Sequence, residues 1–229
     1  MDRPVLIRMF SEGLVIVVSI LLALSADAWL DSRNQAAQLD SHVAALGRDF
    51  DTMLERVNAS HNAANRGVDA GRQLSIFMQD GSEIDPELAR ELLWHLVFYE
   101  VFTASPAAYQ ALVASGNLEL LQNDRLKIEL ADFFGSFEDV RASEKLLLET
   151  QIAFFTSNSF SQLAGWHRMG QAGIPVAGDF PVDQWSGSDE IMNAVGIYTV
   201  RQADVLEDYQ YLKNRIQSIV AIIASEASN

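Results

Sequence analysis

From residue 39 onward the apolar positions of this chain recur at helical spacing. Leu39, Val43, Leu46, Phe50, Met53 and Val57 are separated by 4, 3, 4, 3 and 4 residues. That places them on one stripe of an amphipathic helix, close to a heptad seam. The stripe thins over residues 61–66 and resumes at Val68, Leu74 and Met78; no proline interrupts residues 31–78, and Asp80-Gly81 supplies the closing turn. A second helix is predicted from Asp85-Pro86-Glu87, a cap, a first-turn proline and an acid at the positive helix end; it carries Leu88, Leu92, Leu93, Leu96 and Val97 and ends near Phe102. A third opens at Ser105-Pro106, carries Tyr109, Leu112 and Val113, and stops at Gly116. Asn123 caps a fourth, with Leu126, Leu130, Phe133, Phe134, Phe137, Val140, Leu147 and Phe154 on its core face, an end near Ser157 and a weak point at Gly135. Five glycines and two prolines forbid a regular helix over residues 158–187, while Trp166, Phe180 and Trp185 give that loop anchors. Ser188-Asp189-Glu190 opens the last helix, striped by Ile191, Val195, Tyr198, Val205, Tyr209, Leu212, Ile216, Ile219 and Ile223.

Residues 1–30 obey a different pattern. Between Glu12 and Asp27 lie 14 uncharged residues, apolar on every side. Phe10 to Leu30 is 21 residues, about 31 Å of helix against a hydrocarbon core of about 30 Å. Phe10 and Trp29 fall where aromatic rings prefer to mark the two interfaces. Three readings are open: a transmembrane anchor, a cleaved signal peptide with Ala26-Asp27-Ala28 as its cleavage site, or a buried core helix. The flanks favour the anchor. Arg3 and Arg8 precede the span and Arg33 alone follows closely, so the positive-inside rule puts the N-terminus in the cytoplasm.

Composition narrows the function. The chain has 229 residues, one domain's worth beyond the anchor, and a net charge of −15, of which −14 falls on residues 31–229. Such an acidic domain excludes general nucleic-acid binding and docking on anionic lipid through a basic face. The absence of cysteine removes disulfides, thiolate metal sites and cysteine nucleophiles.

Two stretches resemble a known family. Residues 12–24, Glu-Gly-Leu-Val-Ile-Val-Val-Ser-Ile-Leu-Leu-Ala-Leu, followed by Asp27, Trp29 and Arg33, are similar to the N-terminus of a bacterial family of uncharacterised single-pass membrane proteins, a domain of unknown function. Residues 107–121, with Tyr109, Leu112, Ser115, Gly116, Asn117 and Leu118, resemble that family's internal Tyr-x-x-Leu-x-x-Ser-Gly-Asn-Leu motif. Ser19 stands where that family commonly has a glycine. The resemblance implies a membrane anchor followed by a helical extramembrane domain. It implies no activity.

The chemistry-bearing candidates are few. Glu12 and Asp27 are carboxylates at the edges of an apolar helix, where they either bound the span or pair within it. Ser19 and Ser25 either hydrogen-bond to another helix or back to their own backbone. Trp29 is an interface residue. His42, His61, His95 and His167 show no metal-ligand spacing; the one local pair is His95 with Glu91. Trp166-His167-Arg168 is a candidate loop contact, weighed against simple packing. No catalytic, cofactor or metal residue emerges, and neither a nucleophile turn nor a phosphate loop is present.

The expectation is therefore an all-α protein. Its N-terminal tail and anchor (residues 1–30) continue into an acidic antiparallel bundle of four to five helices (residues 31–229). It works as a structural or interaction component at the bacterial inner membrane with its domain in the periplasm, not as an enzyme and without cofactors. Its partners are the bilayer and either a second copy or the subunits of a larger membrane complex of respiratory or photosynthetic type. The alternative is an extracytoplasmic ligand-binding or sensor-like domain.

Overall fold

The computed structural model describes residues 3–81, 83–104, 106–121, 123–156, 182–185 and 187–226; the side chains of residues 3–16, 155, 156 and 183 lie outside the described set. Among the described residues there are five α-helices and no strand: α1 (Arg3–Asp80), α2 (Pro86–Val97), α3 (Ala107–Ala114), α4 (Asp124–Thr156) and α5 (Asp189–Glu226). The chain forms two compact units. One comprises Met1–Leu46 with Ala107–Gln122, the other Gly47–Pro106 with Asn123–Asn229.

In the first unit, residues 17–38 of α1 are exposed throughout, and Leu39, His42 and Val43 are half-buried. Leu46 and Leu112 are buried. Gly116 adopts a left-handed φ of 72°, which a side chain would strain, and leads from α3 into a short 3₁₀ turn at Asn117–Leu120. Val113 on the same helix is 47% exposed. An eight-residue helix has room for one buried ridge, and Leu112 with Ala108 supplies it.

The second unit is organised by α5. Every apolar position assigned to its stripe is buried. A Cβ built on Gly47 would lie 3.3 Å from Ile223 Cγ2, one on Gly67 2.9 Å from Gln202 Cδ, and one on Gly71 2.9 Å from Thr199 Cβ. From Gly47 to Gly71 the contacts advance along α1 while they retreat from Ile223 to Thr199 along α5, so the two helices run antiparallel. Three glycines let their backbones approach more closely than larger residues allow. This accounts for the thinning of the stripe over residues 61–66: Ala64, Gly67 and Ala70 occupy the buried face there, and small residues leave no hydrophobic signal. Contacts of α4 with α5 are antiparallel as well, since Glu129 meets Ser218 and Ser143 meets Asp208. It follows that α1 and α4 run the same way, joined edge to face by Phe50 and Phe133 at 5.0 Å. Phe50, Met53 and Val57 are thereby buried within the unit, so this part of the α1 seam is covered by the chain itself and needs no second protein.

The capped starts are as the sequence predicts. Asp85 accepts from the Glu87 amide at 2.8 Å, and Asn123 Oδ1 from the Leu126 amide at 3.1 Å. Gly135 does not interrupt α4. The expected end of α2 is corrected: the helix stops at Val97, five residues before Phe102, and Phe98 is already extended. The backbone beyond it is claimed by side chains from other helices. Of the leucines on this helix, Leu88 is 44% exposed.

Two glycine substitutions distinguish close approach from mere helix content. Gly71→Ala drives a Cβ into Thr199 and Leu96 and is expected to cost about 1–3 kcal/mol. Gly135 has nothing within 4 Å of the added Cβ, so Gly135→Ala should stabilise by about 0.5–1 kcal/mol. Denaturation midpoints of the two variants should move in opposite directions.

Candidate functional site

Two features stand out from ordinary helix packing. The first is a buried polar node in the second unit. Residues 98–104, between α2 and α3, have no regular structure, yet their backbone groups must find partners once buried. They find side chains. Glu144 Oε1 on α4 accepts from the Phe102 amide at 2.8 Å and from the Tyr209 hydroxyl of α5 at 2.6 Å. The same hydroxyl lies 3.0 Å from the Glu100 carbonyl. Arg56 of α1 donates to the Thr103 carbonyl at 3.0 Å. Just upstream, Gln202 Nε2 donates to the Leu96 carbonyl at 3.0 Å and Gln151 Nε2 to the Val97 carbonyl at 3.2 Å. Three long helices thus tie down one irregular segment.

Electrostatics sharpen the node. Glu144 is 7% exposed. Burial pushes its carboxyl above the ordinary value, and the hydrogen bonds from Tyr209 and Phe102, with Arg141 nearby, only partly offset this. Tyr209 and Tyr198 are raised too, chiefly by burial. Gln202 Oε1, Tyr198 Oη and His61 Nδ1 are buried without a hydrogen-bond partner.

Sequence reasoning missed Glu144, Tyr209's role, Gln202, Gln151 and Arg56. A signal was present. Phe133, Phe137, Val140, Glu144 and Leu147 follow the 4, 3, 4, 3 spacing of a core stripe with an acid in the fourth place. Ser60 likewise sits between Val57 and Ala64, and Gln202 between Tyr198 and Val205, on buried stripes. A polar residue at a core position needs a partner, and that expectation identifies the node.

The second feature lies on α1. Val17, Val18, Ile20, Leu21, Leu22, Leu24, Trp29 and Leu30 are all exposed, Leu22 to 66%. At about 100° per residue these eight side chains point around the whole circumference of the helix. Asp27 and Ser19 are exposed on the same segment. Ser25 donates to the Leu21 carbonyl at 2.7 Å, the local bond back to its own helix. Arg33 stacks over the Trp29 ring at 5.4 Å. Among the described residues no helix is long and apolar enough to cross a membrane; the side chains of residues 10–16, Glu12 among them, lie outside that set.

The remaining candidates do not converge. His95 Nε2 lies 3.8 Å from Glu91 on the same helix, and no group of three or more metal-ligating side chains occurs among the described residues. Trp166, His167 and Arg168 lie outside the described residues. Comparison of the chain with protein-family models, with curated proteins and with solved structures finds no match.

Substitution of Glu144 separates its two roles. Glu144→Ala orphans the Phe102 amide, at a cost of about 1–3 kcal/mol. Glu144→Gln retains an acceptor and removes a desolvated charge, so near neutral pH it should lie within about 1 kcal/mol of wild type. Because the folded carboxyl is raised, its neutral form favours the fold. The wild type is expected to lose stability as pH rises from about 4.5 through the raised value, and Glu144→Gln to lack that loss. Chemical denaturation across pH 4–8 reads both.

Proposed function

We propose that this is a membrane-anchored helical protein whose acidic domain serves as a structural or interaction component beside the bilayer. The observation that carries this reading is the ring of large apolar side chains exposed around residues 17–30 of α1. A helix apolar on all sides is either buried in protein or surrounded by lipid, and these side chains are not buried. In the sequence the same character extends back to Phe10, giving about 31 Å of helix, bounded by Glu12 and Asp27 near the two headgroup layers. Trp29, with Arg33 over its ring, stands at the depth where aromatic belts form.

The inner membrane of a bacterium, with the N-terminus cytoplasmic and the domain periplasmic, fits the balance of Arg3 and Arg8 against the lone Arg33. It also fits the resemblance to single-pass membrane proteins. The domain's partners are a second copy or the subunits of a larger membrane complex. They meet a surface other than the seam of Phe50, Met53 and Val57, which is already covered. Charge favours cationic partner surfaces, since residues 31–229 carry −14.

The full-length protein should stay with the membrane pellet after alkaline carbonate washing, with an intact N-terminus by mass spectrometry. Leu21→Arg and Leu22→Arg together should release it, each arginine costing about 2.5–3.5 kcal/mol at the centre of a span. A mature N-terminus at Ala28 or Trp29 with the protein in the soluble fraction would overturn the reading. A mild-detergent pull-down then identifies the partner; a strict monomer that retains nothing would count against the interaction role.

A further inference from the structure

We propose that the segment of residues 98–104 is a strap whose grip is set by one proton shared between Glu144 and Tyr209. Tyr209 has a single hydroxyl proton and two acceptors within reach, Glu144 Oε1 at 2.6 Å and the Glu100 carbonyl at 3.0 Å. It can serve only one of them well.

When Glu144 is protonated, its own O–H donates to the tyrosine oxygen. The tyrosine proton then turns to the Glu100 carbonyl, and both oxygens of the pair are satisfied. When Glu144 is ionised, the short bond takes the tyrosine proton, because a charged acceptor outcompetes a neutral carbonyl. The Glu100 carbonyl is then left without that donor, beside a charge with little water around it. A segment that has lost one of its side-chain tethers opens toward solvent more readily. Loss of the Glu144 proton therefore weakens the strap, and its return tightens it. No covalent bond changes.

The surrounding groups leave this balance to Glu144. On α4, Arg141 is one turn away, mostly exposed and paired with Glu138. On α5, Asp208 is engaged by the Ser143 hydroxyl. From α1, Ser60 hydrogen-bonds to Tyr209, and Arg56 is held at the Thr103 carbonyl. On the strap itself the Tyr99 hydroxyl donates to the backbone carbonyl of Glu144, at 3.5 Å. Burial raises the carboxyl, which moves the change upward from the usual carboxylate range.

Hydrogen–deuterium exchange of the full chain in detergent micelles tests this, read over residues 98–104 from pH 4 to 8 and scaled by the intrinsic chemical rate. Protection should fall with rising pH in a single step, about tenfold for each pH unit by which the carboxyl is raised. Glu144→Gln should remove the step. Tyr209→Phe should leave the strap weakly protected at every pH. In the wild type, the ¹³C shift of the Tyr209 ring carbon bearing oxygen should move with the same midpoint, a readout that depends on no variant folding. A pH-independent wild type, a step that survives in Glu144→Gln, a full step in Tyr209→Phe, or a tyrosine shift without that midpoint would each overturn the proposal.

Discussion

The second unit depends on a carboxylate placed where a hydrophobic side chain would ordinarily sit. Once α2 stops at Val97, the backbone that follows has no helix or sheet to satisfy it, yet Phe102 is buried. A buried amide without an acceptor is costly, and Glu144 supplies that acceptor. The segment that follows the early end of α2, the buried Tyr209 and the facing sides of α4 and α5 meet at this acceptor. A neutral acceptor could satisfy the same amide. What the acid adds is a charge state that responds to pH, at the expense of desolvation.

The close approach of α1 to α5 is the complementary device. Gly67 and Gly71 leave room for Gln202 and Thr199, and Gln202 uses that room to reach the Leu96 carbonyl. Small residues on one helix and reaching polar side chains on another are two halves of one arrangement. It trades apolar volume for backbone proximity, which is why the apolar stripe of α1 looks interrupted where the packing is tightest.

Much of the helical architecture was legible in the sequence. Cap chemistry at Asp85, Asn123 and Ser188 marked the helix starts, and the stripe of α5 is buried throughout, because period and capping are local properties. The end of α2 was not legible. Residues 98–102 are apolar enough to continue a helix, and only distant side chains, Tyr209 among them, decide otherwise. The node itself was half-legible. Glu144, Ser60 and Gln202 each occupy a core register position, but that they serve one segment is a fact of tertiary structure. The exposed circumference of residues 17–30 agrees with the apolar run in the sequence, whereas its relation to a bilayer is a matter of environment that neither the run nor the packing contains.

Ionisation of one carboxyl is the centre of this account, so its titration is the most direct measurement. The side-chain carboxyl carbon of Glu144, ¹³C-labelled in the full-length folded protein and assigned through Glu144→Gln, should titrate with a midpoint above the ordinary value of 4.5. A midpoint at or below 4.5 would contradict the account. It would mean that the node is solvated or compensated by a positive charge, and that the strap is not held by a desolvated acid.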